Sequence, residues 1–198
     1  MLIGRYNKSV ILTYIGVVVA VTGMLTAIKG YITIAFICLI VAGICDLFDG
    51  MVARMTERDD EAKEFGVQID SLADMTSFAA LPAVIAISMG LDKWYHLVII
   101  AIFVLCAVIR LAYFNIHRLS NGYYTGLPVT ACAIIFPFFY CFSFIMNQNA
   151  FLTMFTAVIV ITSVFNVLRI KIKKLCGKWY CMFTALAIAS TLFLILNG

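Results

Sequence analysis

The chain has 198 residues, of which 64% are hydrophobic and 12% charged, with a formal net charge of +4. Soluble domains carry about 45–50% apolar residues, so this composition excludes a soluble globular domain and makes lipid the solvent. The small positive excess sets membrane topology and meets anionic lipid head groups; nucleic-acid binding is not suggested.

Seven hydrophobic stretches follow one another, at Ser9–Ile28, Tyr31–Ala53, Phe65–Met89, Trp94–Ile116, Gly126–Met146, Phe151–Leu168 and Trp179–Leu196. Each approaches the roughly 20 residues that cross a bilayer as a helix. Helices are required because lipid offers no partner to the backbone. The breaks carry turn or charge chemistry: Lys29-Gly30, the charged run Met55–Glu64, Gly90-Leu91-Asp92, Ser120-Asn121-Gly122, Asn147-Gln148-Asn149 and Arg169–Gly177. No soluble domain fits between them, so residues 1–198 read as one all-α, polytopic membrane domain.

The first stretch reads as a permanent helix rather than a cleaved signal peptide, since Gly4–Lys8 leads into a full span with no small-residue cleavage site after it. Positively charged short loops stay cytoplasmic. An inside N-terminus puts Arg5, Lys8, Arg54, Arg58, Lys63, Arg118, Arg169, Lys171, Lys173, Lys174 and Lys178 on the cytoplasmic side and leaves only Lys29 and Lys93 outside. The seven cysteines are an odd number in or beside spans, without C-x-x-C pairing, and read as small packing residues. Trp94-Tyr95 and Trp179-Tyr180 read as interfacial anchors, and His96 and His117 as interfacial structural groups.

Ionisable groups inside spans cost at least about 2.5–3.5 kcal/mol each, so each needs a reason to be there. Asp46 and Asp49 lie three residues apart near the end of the second stretch, and Asp70 and Asp74 lie four apart near the start of the third. Both spacings put a pair on one helical face, and two antiparallel helices can bring all four together at the cytoplasmic surface. Four clustered carboxylates need compensating charge. Hard divalent cations, Mg2+ or Mn2+, prefer such oxygen ligands, and two of them suit in-line displacement at phosphorus. Gly50 lets a ligand approach the helix, Ala53 keeps that face small, and Arg54 offers a planar fork for phosphate. Gly66 does the same small-residue work on the facing helix. Taken singly, these small residues would serve only helix packing.

Written out, the stretch is Asp46-x-x-Asp49-Gly50-x-x-Ala53-Arg54, eleven residues, then Gly66-x-x-x-Asp70-x-x-x-Asp74. This resembles the signature of the CDP-alcohol phosphatidyltransferases, membrane enzymes that move a phosphatidyl or similar group from a CDP-linked donor to an alcohol and release CMP. The interval from Arg54 to Gly66 is longer than the family usually shows, the extra residues falling in the charged run. The resemblance implies a six-helix core with an additional C-terminal span, a homodimer, and two divalent cations. It makes Asp46, Asp49 and Asp70 metal ligands, and Asp74 both a ligand and the general base. Gly50, Ala53, Arg54 and Gly66 would contact the CDP-lipid.

The stretch Asp70-Ser71-Leu72-Ala73-Asp74-Met75-Thr76-Ser77-Phe78 with Pro82-Ala83, and Gly126-Leu127-Pro128, resemble the branch of the family whose acceptor is L-serine and whose donor is CDP-diacylglycerol. Arg110-Leu111-Ala112-Tyr113-Phe114-Asn115 also resembles that branch, with Tyr113 where a second arginine is expected. Arg110 either reaches the cytoplasmic surface or faces the polar cavity, where it would pair with a serine carboxylate or a donor phosphate, helped by Asn115. Arg169, at the end of the sixth stretch after Asn166, is the third candidate on the acceptor side. Asn7 is a candidate for the donor side.

Two other classes are weighed. An ion-coupled transporter would place its aspartates at the midplane within a two-half repeat, neither of which is legible. A structural scaffold leaves the intramembrane charge without a purpose. Within the enzyme class, glycerol-phosphate or inositol-phosphate acceptors would call for a denser basic pocket than Arg110, Arg118 and Arg169 supply.

Overall fold

The computed structural model describes residues 8–55, 59–116, 123–169, 171–173 and 189–196. Asn7, His117, Arg118, Cys176, Cys181, Trp179-Tyr180, the Ser120–Gly122 break and most of the seventh stretch lie outside them. The same holds for the side chains of Arg54 and Lys171–Lys173.

Helix α1 (Lys8–Ile28) is followed by α2 (Ile32–Met55), α3 (Asp60–Met75), α4 (Leu81–Ser88), α5 (Trp94–Ile116), α6 (Cys132–Tyr140) and α7 (Gln148–Val167). Among the described residues, five helical segments are long and apolar enough to cross a membrane: Val10–Ile28, Ile32–Ala53, Asp60–Ser88, Trp94–Ile116 and Gln148–Val167. The chain is a multi-pass helical membrane protein.

The turns read at Gly30 and Gly90 are present. At Gly30 (φ 86°) the Gly30 N–H bonds Ala27 O and the Tyr31 N–H bonds Thr26 O; at Gly90 (φ 108°) the N–H groups of Gly90 and Leu91 bond Ile87 O and Ala86 O. Both are Schellman caps that end a helix through a left-handed residue.

Helix α1 lies antiparallel against α2 through small residues. A Cβ built at Gly16 would stand 3.4 Å from Cys45 Cβ, and one at Gly23 would stand 2.8 Å from Cys38 Cβ. Ala20 and Ala27 are buried on the same stripe. In lipid, close approach of small residues is a main source of helix association. Helix α1 also packs against α3 and α4, so it sits between the two helices that carry the aspartates. At the other end of the bundle, Phe36, Phe103, Phe136 and Phe155 form a buried aromatic cluster with centroid separations of 5.5–6.2 Å. Such pairs add roughly 0.5–1.5 kcal/mol each beyond area burial.

Three features differ from the sequence reading. Helix α3 begins inside the charged run: Asp59 caps it by accepting the Ala62 N–H at 2.8 Å, and Asp60 and Glu61 occupy its first turn, where the helix dipole favours acids. Between α3 and α4 the chain makes a π-helical turn, Thr76–Ala80, with the Leu81 N–H on Thr76 O; Pro82, next in line, has no N–H to give. The fifth stretch is not one uniform span. It opens with Gly126–Pro128 outside any helix, continues through a 3-10 turn (Val129–Ala131) into α6, which contains Pro137, and ends in a second 3-10 turn (Cys141–Phe144). Beyond the helices, β1 (Tyr123–Thr125) and β2 (Lys171–Lys173) pair antiparallel, Tyr124 opposite Ile172, joining the segment before α6 to the segment after α7.

Candidate active site

The two aspartate pairs converge. Asp46 and Asp49 come from the second half of α2, Asp70 and Asp74 from the second half of α3. One carboxylate oxygen from each of Asp46, Asp49 and Asp70 lies within 4.8 Å of the others. Asp74 joins them in lining the same cavity. All four line one cavity with Thr13 and Ser77, over a floor that includes Ala42, Ala73 and Phe78.

Asp49 is 5% exposed, and Thr13 of α1, itself 7% exposed, donates its hydroxyl to Asp49 Oδ2 at 2.6 Å. The cavity has a volume of about 10 Å3, the room of about one water or one ion. Oxygen donors alone, several of them anionic and within reach of one centre, are the ligand set of Mg2+ or Mn2+. The residues therefore fit a hard divalent cation.

Gly50 is separated by this geometry from the packing glycines: a Cβ placed there meets nothing within 4 Å, whereas one at Gly43 stands 2.7 Å from Ala133 Cβ. The surface over Gly50 is open for a ligand. Ala53 follows one turn on, half-buried, and the Arg54 side chain lies outside the described residues. Gly66 lies on α3, half-buried, one turn before Asp70.

The three acceptor-side candidates do not line the aspartate cavity. Arg110 does not reach the surface: it is 6% exposed, its Nε donates to Leu127 O at 3.2 Å, and its guanidinium stands 5.4 Å from the Phe114 ring centre. Leu127 in turn gives its N–H to Phe165 O at 3.0 Å. A Cβ on Gly126 would sit 3.1 Å from the carbonyls of Asn166 and Leu168. The Gly126-Leu127-Pro128 segment thus ties Arg110 of α5 to the end of α7. Asn115 accepts the Ser71 hydroxyl at 2.9 Å. It lines a separate cleft of about 450 Å3 with Glu61, Glu64, Phe65, Val67 and Gln68. Gln68 and Asp70, two residues apart, point to opposite sides of α3. Arg169 is exposed and its guanidinium stands 6.0 Å over the ring of Tyr113, the position where a second arginine is expected.

Sequence reasoning missed Thr13. The available signal was the row Thr13, Gly16, Ala20, Gly23 and Ala27, whose spacing of three and four marks one small face of α1.

Comparison with known proteins bears on the same residues. The pattern of the CDP-alcohol phosphatidyltransferase family matches residues 6–167. The chain belongs to the CDP-alcohol phosphatidyltransferase family. The match spans α1 to α7 and includes the four aspartates, Gly50, Ala53, Arg54 and Gly66.

Within this family the chain is similar to the archaetidylserine synthase of Methanothermobacter thermautotrophicus, 33% identical over 130 residues, 65% of this chain and 55% of that protein. It is also similar to the CDP-diacylglycerol–serine O-phosphatidyltransferases of Saccharomyces cerevisiae, 38% identical over 113 residues (52% and 40% of the two chains), and of Bacillus subtilis, 32% over 103 residues (48% and 55%). The matched regions span about half the length of these relatives.

Proposed function

We propose that this CDP-alcohol phosphatidyltransferase-family chain acts as one membrane domain that transfers a phosphatidyl group from CDP-diacylglycerol to the hydroxyl of L-serine, releasing CMP. The observation that carries the reading is the convergence of Asp46, Asp49, Asp70 and Asp74 on one cavity, within a family whose reaction needs charge held at phosphorus. Serine as acceptor is favoured by the names of the relatives.

In this reading Asp46, Asp49, Asp70 and Asp74 hold two divalent cations, Mg2+ or Mn2+. When bound, such ions neutralise the carboxylates and stabilise charge on the attacking and leaving oxygens. The open face over Gly50 and Ala53 admits the CDP moiety, with Gly66 opposite and Arg54 supplying a fork for phosphate. Asp74 takes the serine hydroxyl proton as the oxygen bonds to the lipid-bearing phosphorus, and the bond from that phosphorus to the CMP oxygen breaks. A carboxylate suits this task when it stands beside the nucleophile, and Asp74 lines the same cavity as the other three aspartates. Arg110, Asn115 and Arg169 remain the acceptor-side candidates although none lines the aspartate cavity, Arg110 offering buried positive charge.

The reading also places the N-terminus and the aspartates on the cytoplasmic side of the cell membrane, supported by the Lys and Arg distribution. The homodimer that the family resemblance implies is part of the same proposal.

The test uses purified protein in detergent with CDP-diacylglycerol, a divalent cation, and serine, glycerol phosphate or inositol phosphate in turn, scored for CMP release. Serine-dependent release supports the reading. Release with a phosphorylated acceptor and none with serine moves the chain to another branch, and no release with any acceptor contradicts it.

A further inference from the structure

Hydroxyls in apolar helices ordinarily serve their own backbone. Thr22 donates to Val18 O, Thr26 to Gly23 O, Thr156 to Leu152 O, Thr162 to Val158 O and Ser163 to Ile159 O, all at 2.7–2.9 Å. Such back-bonding satisfies a buried hydroxyl without any tertiary partner. Thr13 donates to a carboxylate 36 residues away, Asp49 Oδ2, at 2.6 Å.

This contact depends on how closely α1 lies on α2. Gly16, one turn from Thr13, brings the backbones together at Cys45, next to Asp46. The short distance is that of a charge-assisted O–H···O bond, and it sits in a nearly closed environment where such a bond is strong. A carboxylate has two oxygens. A fixed donor on Oδ2 sets the rotation of the group and leaves Oδ1 as the oxygen not committed to Thr13.

We propose that Thr13 is a positioning residue for Asp49, holding one carboxylate oxygen so that the group keeps the orientation in which it binds a divalent cation. The inference rests on the reading that the aspartates bind cations. It assigns a role in the site to α1, where neither the composition nor the spacing of the aspartates pointed. Groups that orient metal ligands contribute roughly 10–100-fold to metal affinity or activity in known sites.

The test is Mn2+ binding, followed by electron paramagnetic resonance in detergent-purified protein without substrate, with the thermal midpoint recorded in the absence of metal. Thr13→Val keeps the shape and removes the donor, and should weaken Mn2+ binding by about 10–100-fold. Thr13→Ser restores the donor and should bind close to the parent. In an Asp49→Ala background, Thr13→Val should have no further effect, because the hydroxyl acts through Asp49. A merely structural threonine would shift the thermal midpoint and leave the affinity of the folded protein unchanged. If Thr13→Val does not fold, Thr13→Ala carries the same comparison.

Parent-like Mn2+ affinity in the folded variant overturns the proposal, as does an equal loss with and without Asp49. Failure of the unsubstituted protein to bind Mn2+ overturns both this proposal and the cation reading on which it rests. Tight binding by the parent with an unaffected Thr13 variant overturns this one alone.

Discussion

Asp74 on α3 and Asp46 on α2 line the same cavity. The residue assigned the proton transfer therefore shares its cavity with one assigned to cation binding, and substitution should separate the two tasks. Asp74→Asn keeps the size and one acceptor oxygen but cannot take a proton. CMP release with saturating serine and metal should fall by about 10²–10⁴-fold, the usual range for loss of a general base. Calorimetric binding of CDP-diacylglycerol should survive; lost binding would make Asp74 mainly a ligand, and near-normal release would remove it from the chemistry.

Asp46, Asp49 and Asp70 offer oxygens within 4.8 Å of one another, so each conversion to Asn should act first on the cation. Turnover at limiting metal should be lost in all three, and raising the metal concentration should recover part of it in at least one. Wild-type activity of all three at limiting metal would contradict the assignment.

These aspartates were legible from sequence because intervals of three and four place a pair on one face, and charge inside an apolar span always calls for a partner. The turns at Gly30 and Gly90 were legible for a related reason, since a helix that stops in lipid-facing sequence needs a left-handed residue to close its last carbonyls. The start of α3 was not. The run of Glu57, Arg58, Asp59, Asp60 and Glu61 reads as solvated loop by composition, yet Asp59 is an N-cap and the next two acids sit on a helix dipole. The fifth stretch is almost wholly apolar, and hydropathy is silent about the 3-10 turns Val129–Ala131 and Cys141–Phe144 that shorten its α-helix. Thr13 was illegible because a threonine in a span normally bonds its own helix, and only the packing of α1 on α2 shows that it reaches Asp49.

Glycines that pack should respond differently from the glycine that stays open. Gly23→Ala places a Cβ 2.8 Å from Cys38 Cβ, and overpacking of that kind costs about 1–3 kcal/mol, read as a lower thermal midpoint. Gly50→Ala meets nothing within 4 Å and should leave the midpoint unchanged while raising the KM for CDP-diacylglycerol. A Gly50 variant with parent-like donor kinetics would remove Gly50 from the donor site.

Arg110→Lys keeps a positive charge but loses the Nε bond to Leu127 O. A charge-assisted hydrogen bond is worth about 1.5–3 kcal/mol, so the midpoint should drop. If Arg110 also serves the acceptor, the KM for serine should rise while the KM for the donor holds. An equal rise in both would leave Arg110 only its tie to the segment before α6.

The claim on which the others depend is that the four aspartates form a cation centre. It is tested most directly by the anomalous scattering of Mn2+ in crystals of the unsubstituted protein grown with that ion. The account predicts at least one peak among Asp46, Asp49, Asp70 and Asp74, within about 2–2.5 Å of their carboxylate oxygens. Full Mn2+ occupancy elsewhere in the protein, with no peak among these four residues, would contradict it.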